Sequence, residues 1–212
     1  MKALAAAAIL AVIGIMILSD TVNAQNWRIE PGVSVGDINA ETAESDLVRL
    51  YGEANVAQQK VDLGEGLTDI GTVIFPSDPS RRADILWQDE TRRFPDSVSI
   101  TGGNSRWTLP KKVTLGISLK ELESLNARAF TLYGFGWDYG GTVASWQGGA
   151  LADAFGGDEH VLLRLDADTS GLEEEDLHSV VGDVEYASDS PVMQQLNPVL
   201  REIIVMFPER AD

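Results

Sequence analysis

The side chains able to do chemistry are few in kind. The chain has no cysteine, which excludes thiol nucleophiles and thiolate metal sites. Its two histidines are His160, in "GGDEHVLLRLD", and His178, in "EEEDLHSVVG". The first stands where a strand begins. The second stands near the end of a helical stretch, where the dipole favours a cation. Such isolated histidines serve structure or meet solvent more often than they share a zinc ion. No G-x-S-x-G elbow surrounds Ser105 or Ser145. The sequence therefore nominates no catalytic residue and no cofactor.

Carboxylates are abundant, 33 against 16 lysines and arginines, and two of their settings are specific. Asp138 lies between Trp137 and Tyr139. An acid flanked by aromatics can line a sugar platform or carry a raised pKa, and it can equally be a turn residue bonded to its own backbone. The second setting is "DADTSGLEEED". Asp166, Asp168, Ser170 and Gly171 match the opening of a calcium loop, but position twelve is Leu177 instead of a bidentate Glu. Weak calcium binding through Asp166, Asp168 and Ser170 competes with a capping box in which Ser170 and Glu173 start a helix. Arg81, Arg82, Arg92 and Arg93 flank the strand "ILWQD". They form either a basic patch or local pairs with Asp78, Asp84, Asp89 and Glu90.

The densest candidate is "LYGFGWDYGGTVASWQGG", residues 132–149. A strand over 130–137 would put Tyr133, Phe135 and Trp137 on one face, with Phe130, Leu132, Gly134 and Gly136 on the other. A turn over 138–141 would return Trp146 beside the aromatic row. Glycines in a strand imply close packing against them, here by the helix "SLKELESLN". Tyr133, Phe135, Trp137, Asp138, Tyr139 and Trp146 are then the candidate binding residues. They form a binding surface if their face is open, and core if it is covered.

These side chains need elements to hold them. "SLKELESLN" carries an S-x-x-E capping box, Ser118 and Glu121, followed by Leu119, Leu122 and Leu125 at helical spacing. "ETAESDLVRLYG" reads as a helix with Thr42 as N-cap and Gly52 past its end. Strands follow each helix: "QQKVDL", "GTVIFP", "ADILWQD" and "SVSITGG", then "AFTLYGFGW", "GTVASWQGG" and "HVLLRLD". Pro191 opens a short helix before the last strand, "REIIVMF". The pattern predicts an α+β fold, an antiparallel sheet with two or three short helices on one face. A duplicated helix–β-meander unit is one way to build it. The domain over 25–212 is then single, or two halves, 25–110 and 111–212.

The start of the chain has a secretory shape. Lys2 precedes an apolar run from Ala3 to Leu18, and Val22 and Ala24 sit at the −3 and −1 positions before Gln25. Residues 1–24 read as a signal peptide, the alternative being an uncleaved anchor, since the run is shorter than the ~20 residues a span wants. The expected location is periplasmic or extracellular, with no membrane span in the mature chain. The net charge of −17 repels nucleic acid phosphates and anionic lipid heads. It suits solubility, or a basic protein partner.

"VTLGISLKELESL", and more loosely "PGVSVGDINAETAESDLVRLYG", resemble the helix start of bacterial envelope tandem-repeat modules. These are the outer-membrane-assembly lipoprotein (SmpA/OmlA-like) and β-lactamase-inhibitor-protein-like families, among secreted bacterial proteins of unknown function. The chain departs from them in lacking an N-terminal cysteine and in the five residues between Gly36 and Thr42. The resemblance implies a non-enzymatic module that binds another protein. Two other uses remain open: a carbohydrate-binding or carbohydrate-active protein built on the aromatic hairpin, and a weak calcium-binding module.

Overall fold

Alternating apolar residues set the register of the main sheet. The computed structural model describes residues 25–210 apart from Asp158, so the proposed signal segment 1–24 lies outside the described residues. The elements in chain order are β1 (Ile29–Glu30), β2 (Ser34–Val35), β3 (Ile38–Asn39), α1 (Glu44–Tyr51), β4 (Val56–Gly64), β5 (Leu67–Ile74), β6 (Ala83–Trp87) and β7 (Pro95–Thr101). Then come α2 (Leu119–Asn126), β8 (Thr131–Tyr133), β9 (Val143–Ser145), α3 (Ala150–Phe155), β10 (Val161–Asp166), α4 (Glu174–His178), β11 (Glu185–Ala187), α5 (Pro191–Leu196) and β12 (Val199–Met206). The chain is an α+β protein with antiparallel strands.

The largest sheet has six strands in the order β10-β12-β7-β6-β5-β4. Ile203 stands opposite Ile100, Val205 opposite Val98, and Val98 opposite Ile85. All five are fully buried. Each such aliphatic contributes about 1.5–3 kcal/mol relative to exposure, so a one-residue slip would turn the whole row to solvent. Leu47 of α1, Leu119 and Leu122 of α2, Leu151 and Phe155 of α3 and Met193 of α5 join the same core. The helices thus cover one face of the sheet, and the other face stays open for Ser99, Ile204 and Arg164.

Residues on either side of position 110 share this sheet, because β7 pairs with β12. α1 leads into the expected meander, β4 to β7. α2 leads elsewhere, into a second sheet of order β11-β8-β9. The short β8 and β9 are cut off from β10 by α3, a helix that the Gly-rich sequence around it hides. The small sheet leans on the large one through a bridge between Thr142 and Arg164 and a bond from Leu165 N to Gly141 O (2.9 Å).

The caps explain the helix ends. Ser118 and Glu121 make the capping box of α2, with Glu121 Oε2 accepting from Ser118 N (2.9 Å). α1 differs from expectation. Ala43 is its N-cap, and Thr42 instead turns inward to accept from Asn39 N (2.9 Å). Ser190 accepts from Met193 N at the start of α5, with Pro191 in its first turn.

Candidate functional site

The aromatic segment divides into buried and exposed parts. β8 ends at Tyr133, so the single strand expected over 130–137 does not form. Gly134 and Gly136 are the cause. A Cβ on Gly134 would lie 2.7 Å from Gly182 O and from the Tyr186 ring, and Gly136 sits at φ +86°. The close neighbour of Gly134 is therefore the 181–186 segment, not the expected helix α2. Phe135 N donates to Val180 O (2.7 Å) and Gly182 N to Phe135 O (2.9 Å), which draws Phe135 into the core. Trp146 is buried too, 5.0 Å from Phe130 and 5.6 Å from Phe155 between ring centroids. Phe135 and Trp146 are thus corrected from binding candidates to core residues. Neither can reach a partner without local unfolding.

Tyr133, Trp137, Asp138 and Tyr139 are the accessible remainder. Trp137 packs edge-on between Tyr133 (5.8 Å, 86°) and Tyr139 (5.3 Å, 69°), a geometry that aromatic quadrupoles favour. Its indole N–H donates to Gly134 O (2.9 Å). Asp138 is exposed at the tip, in a turn closed by Gly140 N to Trp137 O (2.9 Å). Gly141 then passes so near the sheet that a Cβ would fall on Leu165 O.

This tip forms one wall of a cleft of about 580 Å³ on the open face of the large sheet. The opposite wall is Val61 to Gly64, the end of β4. The floor carries Ser99, Ile204, Arg164 and Glu202. Ser99 Oγ donates to Glu202 Oε1 (2.7 Å), and Arg164 Nη1 donates to Glu202 Oε2 (2.8 Å). Arg164 Nε also reaches Thr142 Oγ1 (3.3 Å). Half-buried pairs of this kind add about 1 kcal/mol or less. Their larger effect is to fix the direction of the hydrogen-bonding groups offered to a ligand. At one end Arg201 and Asp166 stand 3.5 Å apart and largely exposed, a pair loose enough for a ligand to enter.

The cleft contains residues that sequence reasoning passed over: Asp62, Leu63, Arg164, Arg201 and Glu202. A usable signal existed for two of them. Arg164 and Glu202 are charges inside otherwise apolar strands, "VLLRLD" and "REIIVMF", and such charges face the polar side of a sheet. Asp62 and Leu63 had no such mark.

The calcium candidate resolves into separate local roles. Asp166 faces Arg201. Asp168 accepts from Ser170 N (3.0 Å), and hydrogen bonds from Ser170, side chain first, hold the Asp168 carboxyl below the usual range. Among the described residues no three histidine or carboxylate side chains gather where they could hold a metal ion. Ser170 is not a helix cap either, since α4 begins later with Glu173 as its N-cap. The acidic run 173–176 repels itself and favours the first turn of a helix over its approach.

Two of the four arginines around β6 are paired locally, Arg81 with Asp78 (2.6 Å) and Arg82 with Asp84 (2.8 Å), and Arg92 pairs instead with the distant Glu44 of α1 (3.4 Å). Arg93 lies over Phe94 at 5.7 Å. Hydrogen bonds from the Ser80 hydroxyl and then Arg81 pull the Asp78 carboxyl down to about 2. No helix among the described residues is long and apolar enough to cross a membrane. Comparison with protein-family models, curated proteins and solved structures returns no match.

Proposed function

We propose that this chain is an exported protein-binding module of a bacterial envelope, acting in the periplasm or outside the cell, without chemistry of its own. One observation carries the reading. Half-buried Trp137 and exposed Asp138 wall a cleft on the sheet face left bare by the helices, and exposed Tyr139 packs against Trp137 at the tip beside it. Aromatic anchors beside a pocket are the usual centre of protein interfaces. The net charge of −17 favours a basic partner and speeds its approach. On the floor of the cleft Ser99, Glu202 and Arg164 are engaged with one another. The resemblance of "VTLGISLKELESL" to envelope modules and the secretory pattern of residues 1–24 point the same way.

The test is site-specific photo-crosslinking in the native envelope. A photoreactive residue at position 138 should trap one protein, and the same probe at exposed Lys111 should not. Addition of Trp137→Ala and Tyr139→Ala to the position-138 probe should abolish the adduct while circular dichroism stays unchanged. Equal trapping from both positions, or trapping that survives the double variant, rejects the cleft as the interface.

A carbohydrate reading has its own support. Trp137 and Asp138 share the cleft with the carboxylates of Asp62, Asp166 and Glu202 and the hydroxyls of Ser97, Ser99 and Thr101. Sugars bind to such mixtures of aromatic and polar groups. Titration of the parent chain and Trp137→Ala with envelope glycans separates the readings. A saturable signal lost in the variant would favour the sugar.

A further inference from the structure

The two edges of the large sheet are unlike. β10 is covered, through Gly141 and Thr142. β4 pairs with β5 and, among the described residues, with no strand beyond it. The ladder decides which main-chain groups of β4 point outward. Phe75 N donates to Asn55 O (2.8 Å), which marks Asn55 and Phe75 as a hydrogen-bonded pair. Alternation along an antiparallel ladder extends this to Ala57, Gln59 and Val61. Val56, Gln58, Lys60 and Asp62 therefore direct their N–H and C=O groups away from the sheet.

Such an edge is a template for another strand, and proteins usually blunt it with proline, lysines, a bulge or short length. β4 has nine residues, no proline and one lysine, and its bulge lies at the far end, between Asp62 and Gly64. Apolar side chains flank it: Leu63, Leu67 and Ile70 are 43%, 59% and 45% exposed. So do exposed carboxylates, Asp62, Glu65 and Asp69, against the single cation Lys60.

We propose that the edge of β4 receives an extended, cationic segment of the partner protein as an added strand. The inference rests on the protein-binding reading and names the chemistry of the partner. Main-chain bonds to Val56, Gln58, Lys60 and Asp62 supply the docking. Lysine or arginine side chains of the incoming strand face Asp62, Glu65 and Asp69, and its apolar residues lie beside Leu63. Lys60 selects against a cation directly opposite. The added strand runs along the wall of the cleft, since Val61 to Gly64 line it, so one partner can engage both.

The test uses residues 25–212, which hold the whole described core, and a nine-residue peptide of alternating lysine and valine. An alternating glutamate–valine peptide is the control. At saturation the lysine peptide should slow amide exchange by about tenfold or more at Gln58, Lys60 and Asp62, and leave Ala57, Gln59 and Val61 unchanged. Asp62→Lys should weaken binding by about tenfold, and Gln58→Pro should abolish the alternating protection. Absence of lysine-peptide binding, equal binding of both peptides, or binding without that alternation overturns the proposal. Protection that appears without peptide, together with a dimeric mass in sedimentation, overturns it in favour of a second copy of this chain. Trp137→Ala should leave the alternating protection intact. Failure of the parent chain to give a specific adduct from position 138, with that protection present, therefore fails the cleft reading alone, and a specific adduct without the alternating protection fails the edge alone.

Discussion

Two hairpins face each other across the cleft, and they are held by different forces. β4 and β5 share a ladder of eight register pairs closed by a two-residue turn, Glu65 at φ +54° and Gly66 at φ +71°. Both positive values belong to the turn whose twist matches paired strands. β8 and β9 share only two register pairs. Their loop is held by Phe135 in the core and by backbone bonds to Val180 and Leu165, and Trp146, buried just past β9, anchors the returning strand. A ladder fixes the backbone and leaves an edge for pairing. A buried anchor fixes a few points and frees the side chains between them. The first wall thus offers main-chain groups, and the second offers Trp137, Asp138 and Tyr139.

The largest test of this contrast removes an anchor. Trp146→Ala should cost about 3–5 kcal/mol in urea unfolding, because its ring fills space between Phe130 and Phe155. Val61→Ala, on the ladder side, should cost about 1–3 kcal/mol, since hydrogen bonds persist without that side chain. Equal losses would show that the ladder wall also depends on its buried side chains.

Gly141→Ala should come next, at about 1–3 kcal/mol. The new Cβ meets Leu165 O at a position of φ +75°, so the loop must lift off β10. Amide exchange at Leu165 should rise as its bond to Gly141 O opens. Unchanged exchange there would mean that the loop does not depend on this contact.

Trp137→Ala should cost only about 1 kcal/mol in stability, although together with Tyr139→Ala it should abolish the position-138 adduct. A loss comparable to that of Trp146→Ala would make Trp137 an anchor and dissolve the division of the aromatic segment.

The smallest effect concerns the loop that follows β5. The Asp78 carboxyl titrates near 2 in the folded chain, below its unfolded value. Its contribution to stability is therefore complete above the ordinary carboxylate range and is lost as pH falls toward about 2. Asp78→Asn should lower the unfolding midpoint slightly at pH 7 to 8, where the contribution is complete, and flatten its pH dependence in the acid interval. An unaltered acid limb would remove the Ser80 and Arg81 hydrogen bonds from the account.

Much of the fold was written in local pattern. The capping box of α2, Pro191 at the start of α5, the alternation in "SVSIT" and "HVLLRLD" and the continuous apolar run in "GTVIFP" each specify an element by short-range chemistry. Absence of cysteine excluded thiol chemistry, and the acid excess argued against phosphate-rich partners, with no structure needed. Where the aromatic segment goes was not decided locally. Its alternation placed Tyr133, Phe135 and Trp137 on one face, but Gly134 must accept the 181–182 backbone, and that contact joins residues nearly fifty positions apart. Such a meeting turns Phe135 inward and Trp137 outward. The cleft is likewise a tertiary product. Residues 61–64, 99, 137–138, 164 and 202 meet only because β7 pairs with β12, and non-local pairing leaves no periodic trace in the chain. Composition and periodicity therefore determined the elements and the excluded chemistries, and the packing of distant backbone segments decided which aromatics are core and which are surface.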